Sequence, residues 1–251
     1  MPGLLRVLPV AVPSATAVVS ILAAVGWDRA RGRDPLSGVG RRAQRYWCGA
    51  ILRRCGVEVE VRGVPLCPGP LLIAANHVSW LDILVLAREW RLGFLSKREV
   101  ARWPGVGPVA TALGTLYIDR GANHAARGAL EAMGERLAAG GRVVFFPEAT
   151  TGTGERLLPF RPRLFQAAID AGVPVQSVAI RYRDRHGQLS TAAPFVGAAS
   201  MVEHVAGLLA SGPVRAEVTV TPPIHPAADG SRTGLARQSA ESIRRAWDAP
   251  T

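Results

Sequence analysis

Five apolar residues in a row, Leu71 to Ala75, run straight into Asn76-His77-Val78-Ser79-Trp80-Leu81-Asp82, and an apolar segment resumes at Ile83 and continues to Ala87. The first run reads as a short buried strand, the second as the start of a helix. Where a strand hands over to a helix through a polar turn, α/β folds commonly carry their chemistry. This turn holds an imidazole and, five residues on, a carboxylate. Five residues of ideal helix rotate through about 500°, so the two side chains would not share a helix face. They meet only if His77 lies in the turn and Asp82 in the first helical turn. Ser79-x-x-Asp82 ahead of apolar residues supports that geometry, because it has the spacing of an N-terminal capping box. Two readings stand at this point. Asp82 orients His77 and stabilises its protonated form, so that His77 takes a proton from a hydroxyl; or Asp82 only completes a cap and His77 is a loop histidine.

The same alternation recurs along the chain. Val57 to Val61 alternates Val and Glu at strand period, and Cys67-Pro68-Gly69-Pro70 is a turn. Further strands are expected at 93–96, 116–118, 142–146, 173–180 and 216–220. Helices are expected at 39–54, 125–139 (closed by Gly140-Gly141), 164–171, 200–209 and 235–247, with Ser200 and Glu203 spaced as a capping box. Trp103 to Gly107 reads as turn. Strand-helix-strand order predicts an α/β fold, a single domain with a central mixed, largely parallel sheet flanked by helices. No internal repeat or linker divides it.

Charge narrows the partners. The chain carries a formal net charge of +11 over 251 residues, and Lys97 is its only lysine. Such a balance favours an anionic partner. Nothing resembles a nucleic-acid-binding module, so a membrane surface or an acidic carrier is expected rather than nucleic acid. Residues Val7 to Gly26 carry no charge and are about long enough to cross a bilayer. Pro9 and Pro13 favour an interfacial or re-entrant helix instead, and a cleaved signal peptide is a third reading. Arginines 29, 31, 33, 41, 42, 45, 53 and 54 then face only Asp28 and Asp34, which places this side in the cytoplasm against anionic lipid, or else marks a solvated helix face. Cys48, Cys55 and Cys67 show neither disulfide nor metal-ligand spacing; Cys48 and Cys55 read as buried packing residues.

Four ordered blocks, NHVSWLD (76–82), GTLYIDR (114–120), FPEATTGTG (146–154) and VPVQSVAI (173–180), resemble those of the glycerolipid acyltransferases typified by 1-acylglycerol-3-phosphate acyltransferase. The resemblance covers roughly residues 57–182. It implies His77 as general base with Asp82 as its orienting partner. It also implies an acceptor and phosphate site at Arg120, Glu148, Ala149 and Thr150; Asn76 and Lys97 are possible additional residues, and Arg161 and Arg163 are nearby cations that could replace the one missing at Thr151. Arg120 would bind the phosphate. Glu148 would bind acceptor hydroxyls or hold Arg120. The usual F-P-E-G-T-R differs here: Ala149 replaces glycine, requiring either an ordinary backbone or mild strain, and Thr151 replaces arginine, removing a cation. Ser177 replaces a proline in the fourth block. Several pieces look similar to bacterial lyso-ornithine lipid acyltransferases, whose zwitterionic acceptor needs fewer cations.

The expectation is therefore an enzyme tethered to the cytoplasmic face of the inner membrane. Residues 1–28 form a hydrophobic membrane-associated segment, 29–56 a basic amphipathic helical segment and 57–251 the acyltransferase domain. It would move a fatty acyl group from acyl-CoA or acyl carrier protein to the free hydroxyl of a lysolipid, 1-acyl-sn-glycerol-3-phosphate in the first place and lyso-ornithine lipid as the alternative. Neither a metal nor a bound cofactor is expected. Backbone N–H groups near the His77 turn are candidates to stabilise the oxyanion. A thioesterase or lipid hydrolase, and an inactive membrane-binding relative, are the alternatives of another class.

Overall fold

The computed structural model describes residues 2–34, 38–118, 123–197, 200–227 and 230–249, with side chains from residue 15 onward apart from 123–126. Seven strands form one sheet: β1 (Val57–Gly63), β2 (Leu71–Ala75), β3 (Gly93–Lys97), β4 (Leu116–Ile118), β5 (Arg142–Phe145), β6 (Val175–Asp184) and β7 (Val214–Ile224), in the order β1-β7-β6-β2-β5-β3-β4. Every pairing is parallel except β6 with β7. The expected mixed, largely parallel sheet is present, with β1 at one edge as its alternating pattern implied.

The helices are α1 (Pro2–Ala30), α2 (Val39–Arg54), α3 (Leu81–Glu89), α4 (Val106–Ala112), α5 (Asn123–Ala138), α6 (Gln166–Ala171), α7 (Met201–Ser211) and α8 (Arg232–Asp248). Strand β2 shows why the sequence demands two helical layers. Leu71, Ile73 and Ala75 pack with residues of α2, α3 and α7 on one face, whereas Leu72 and Ala74 pack with residues of α5, α6 and α8 on the other. A continuous apolar run is stable only when both faces are covered. Burying each of its large side chains is worth about 1.5–3 kcal/mol, so β2 is a fixed platform for the turn that follows it.

The N-terminal helix is not a free appendage. Ala17, Ile21 and Val25 form a stripe buried against Ala112 and Leu113 at the end of α4, with Trp47 of α2 alongside. Asp28 accepts the Gly40 N–H at 2.7 Å and thereby satisfies one of the free donors at the start of α2. Among the described residues, no helix is long and apolar enough to cross a membrane.

Three local expectations are corrected. The Trp103–Gly107 turn leads into a short helix, α4, whose Pro and Gly content masks it and whose place is fixed by burial against α1. Residues 162–165 form a 3-10 turn ahead of α6. Ser79 does not cap α3: its hydroxyl is buried without a partner among the described residues, and the helix starts from Trp80 with no side-chain cap. The Ser200–Glu203 capping box forms in full. Cys48 and Cys55 are buried, and burial pushes their thiols up to about 12 and about 11, as inert packing residues require.

Candidate active site

Strands β2, β3, β4, β5 and β6 run the same way, so their carboxyl ends share one edge of the sheet. That edge carries His77 after β2, Lys97 at the end of β3 and Phe146 to Glu148 after β5. Ligands of open parallel sheets bind outside this edge. Arg120, after β4, lies outside the described residues.

Asp82 is the second residue of α3 and is fully buried, while the His77 side chain is 19% exposed. Asp82 Oδ2 stands 2.8 Å from His77 Nδ1. The same oxygen accepts the backbone N–H groups of Val78 at 2.7 Å and Ser79 at 2.9 Å, and Oδ1 accepts the Tyr182 hydroxyl at 2.7 Å. The other three groups aimed at this carboxyl are donors, so it is an acceptor and Nδ1 carries the imidazole proton. The lone pair of neutral His77 is then on Nε2, directed away from Asp82. The ring plane is fixed by stacking on Phe146, with centroids 3.9 Å apart and planes 14° apart.

These bonds explain the five-residue spacing. Asp82 reaches back from the first helical turn to the N–H groups of the preceding turn, which is the carboxylate half of a capping box without the serine half. One carboxylate therefore pins the turn ahead of the helix and orients the imidazole at once. No sequence signal points to Tyr182, which is 100 residues from Asp82. Burial first, then the Asp82 charge and the hydrogen bond to it, hold the Tyr182 phenol well above its ordinary range, so it remains a donor.

Glu148 is the second buried carboxyl of the site. Its Oε1 accepts the His77 N–H at 2.7 Å and its Oε2 the Leu158 N–H at 3.0 Å. Burial raises its pKa, opposed by those two backbone hydrogen bonds. Gly152 N–H returns a bond to the His77 carbonyl at 2.8 Å, so the loop after β5 is stitched to the His77 turn. The N–H groups of His77, Val78 and Ser79 are thus all engaged by carboxylates. Of the backbone N–H groups near this turn, these three are therefore already bonded within the fold.

The remaining candidates separate by position. Ala149 has φ 58, the strained alternative of the two its sequence allowed. Thr150 is exposed beside it. The Thr151 hydroxyl donates to the Phe195 carbonyl, tying the loop to a second one, and Phe195 N–H in turn donates to Val78 O at 2.9 Å. Arg161 and Arg163 flank this loop with exposed side chains, Arg161 through a backbone bond to Pro147. Lys97 is exposed at the same sheet edge. Asn76 is buried and clamps β2 to β6: its Nδ2 donates to Ile180 O at 2.9 Å, and Ile180 N–H donates to its Oδ1 at 2.7 Å. A hydrogen-bonded imidazole–carboxylate pair beside an open sheet edge can remove a proton from a bound hydroxyl.

The Acyltransferase family profile matches residues 58–181. The chain is 37% identical over 228 residues to the lyso-ornithine lipid O-acyltransferase of Pseudomonas aeruginosa, covering 90% of this chain and 87% of the other. It is 42% identical over 139 residues to the 1-acyl-sn-glycerol-3-phosphate acyltransferase of Neisseria meningitidis, a match spanning 55% of this chain and 54% of that one. Its fold matches the crystal structure of the 1-acyl-sn-glycerophosphate acyltransferase PlsC from Thermotoga maritima with a TM-score of 0.70, at 21% identity and over 99% and 97% of the two chains. Matched along most of its length, the chain belongs to the acyltransferase family.

Proposed function

We propose that this protein is a lysolipid O-acyltransferase using an acyl thioester, acyl-CoA or acyl carrier protein, as donor. The observation that carries the reading is the His77–Asp82 pair, 2.8 Å apart, with the His77 side chain partly exposed; the donors around Asp82 put the proton on Nδ1 and leave the lone pair on Nε2. In this reaction Nε2 takes the proton of the acceptor hydroxyl as its oxygen attacks the thioester carbonyl. The tetrahedral intermediate collapses, the C–S bond breaks, and the departing thiolate takes the proton from the His77 imidazolium. Asp82 stabilises that imidazolium, and Tyr182, Val78 and Ser79 hold Asp82. Direct attack by the acceptor requires no acyl-enzyme.

Lyso-ornithine lipid is the acceptor we favour over 1-acyl-sn-glycerol-3-phosphate. The relatives matched along most of this chain carry that name, and the loop presents Thr151, itself bonded to Phe195, where the resemblance places an arginine. The 42% identity to the Neisseria enzyme supports the phosphate acceptor as the second reading. Attachment to the cytoplasmic face of the inner membrane fits the uncharged run of α1 and its arginine-rich flank. It also fits the exposure of Val19 on α1 and of Trp103 and Val106 on the segment that lies against it, where Gly105 meets Val18.

The deciding experiment is acyl transfer by membranes containing the protein, supplied with either lysolipid, beside His77→Ala. Loss of transfer in that variant is expected, by at least about 10²-fold. Activity surviving it overturns the mechanism. Fatty-acid release without any lysolipid acceptor supports a hydrolase instead.

A further inference from the structure

Helix α2 carries Arg42, Arg45, Tyr46, Gly49 and Arg53 at spacings of three, one, three and four residues, which is one stripe of a helix. With Arg88 of α3 they line a cleft of about 310 Å³. Gly49 is its floor. A Cβ at that position would stand 3.3 Å from the Arg53 guanidinium and 3.5 Å from Arg88 Nε, so the missing side chain is what lets these two cations converge. Glycine inside a helix is otherwise destabilising. Arg41, one residue off the stripe, has a structural role, donating to the Ala87 and Arg88 carbonyls at the end of α3. Arg88 keeps one acidic neighbour, Glu89 at 3.3 Å, while no ion pair engages Arg42, Arg45 or Arg53 among the described residues. Four like charges around one cleft repel unless an anion sits among them.

A second hollow, about 270 Å³, shares Gly49, Arg53 and Arg88 with the first and adds Leu52, Val57 and Val59, with Glu58 on its rim. Leu52 and Val57 are buried beneath it and Val59 is half-buried, so what the two hollows share at the surface is their cationic part. We propose that this α2–α3 cleft binds the phosphate group of a phosphate ester among Arg42, Arg45, Arg53 and Arg88. Guanidinium forks match phosphate oxygens in geometry as well as charge. Two sources carry this chemistry, an anionic phospholipid headgroup and a soluble phosphate ester such as a coenzyme. None of these residues belongs to the His77 site; the inference deepens, and rests on, the reading of this arginine-rich flank as the side that meets anionic lipid or the acyl donor.

The experiment is equilibrium binding of the intact 251-residue chain to phosphatidylglycerol vesicles, to phosphatidylcholine vesicles and to free CoA. The variants are Arg53→Gln/Arg88→Gln and the charge-neutral Gly49→Leu, which fills the floor. Arg237→Gln/Arg244→Gln on α8 removes the same charge from the opposite face of the sheet. Thermal melting verifies that each variant folds. We expect both cleft variants to weaken binding by about tenfold or more and the α8 variant to stay within about threefold. Saturable binding of CoA identifies a soluble ester; binding confined to phosphatidylglycerol vesicles identifies a lipid headgroup. Equal weakening by all three variants, or binding to neither phosphatidylglycerol nor CoA, overturns the proposal.

Discussion

Asp82 and Glu148 are two buried carboxyls on opposite sides of one turn, and they do different work. Each holds the backbone of 77–79: Asp82 through Val78 and Ser79, Glu148 through His77. Only Asp82 also receives side-chain donors, an imidazole on one oxygen and a buried phenol on the other. Glu148 receives backbone donors alone, His77 N–H on one oxygen and Leu158 N–H on the other, and so joins two loops. The contrast separates a carboxylate bonded to an imidazole and a phenol from one that only joins backbone segments. The resemblance of motifs implies that Glu148 binds acceptor hydroxyls or holds Arg120; in the structure each of its oxygens accepts a backbone N–H.

The largest break in the comparison is Asp82→Asn. With its NH2 turned to the Tyr182 hydroxyl, which can accept, the amide keeps its oxygen on His77, Val78 and Ser79, so what the variant removes is the charge that stabilises the imidazolium. Turnover should fall by about 10²–10⁴-fold with a folded protein. A fall in melting temperature with unchanged turnover would reduce Asp82 to a cap.

Glu148→Gln should act on position instead. One of its two backbone bonds becomes a donor–donor conflict, costing about 1–3 kcal/mol of stability. The pH dependence has a definite sign. Burial holds the folded Glu148 carboxyl above its ordinary range, so the stability of its protonated form is fully present below that range and is lost as pH rises through the folded value. Denaturant titrations should find wild type ahead of Glu148→Gln by more at about pH 4 than at about pH 7. A gap that widens with pH would contradict the assignment.

Tyr182→Phe probes the Asp82 side with a smaller effect. It removes one hydrogen bond to a charged group, worth about 1.5–3 kcal/mol before relaxation, while keeping the ring packed. A several-fold loss of turnover is expected with little change in acceptor KM; a pure KM effect would place Tyr182 in binding. Ala149→Gly probes the Glu148 side most gently. Relief of φ 58 should stabilise the protein by about 0.5–1 kcal/mol with turnover unchanged. Lower stability would mean that the alanine methyl packs usefully there.

The fold is largely legible in the sequence because its strands are patterned by burial. β2 and the buried Val-Val-Phe of β5 are apolar runs that need cover on two faces, and β1 alternates as an edge strand does. The extent of β6 is not legible. Its last four residues, Arg181 to Asp184, are polar enough to read as loop, yet they pair along β7, where Arg183 bonds Glu217 at 2.8 Å. Helix α4 is hidden because Gly107 and Pro108 oppose it locally, and contact with α1 outweighs that preference.

The spacing of His77 and Asp82 by itself determined that they meet only across the junction of a turn and a helix, since a continuous helix rotates them onto different faces. The four ordered blocks likewise determined the family to which the chain belongs. Only the tertiary structure decided which groups complete the site. Tyr182 is brought to Asp82 by the β6–β2 pairing, and Glu148 to the His77 N–H by β5 lying next to β2. Neither approach has a local sequence signal, because hydrogen bonds between neighbouring strands depend on register across the sheet rather than on separation along the chain.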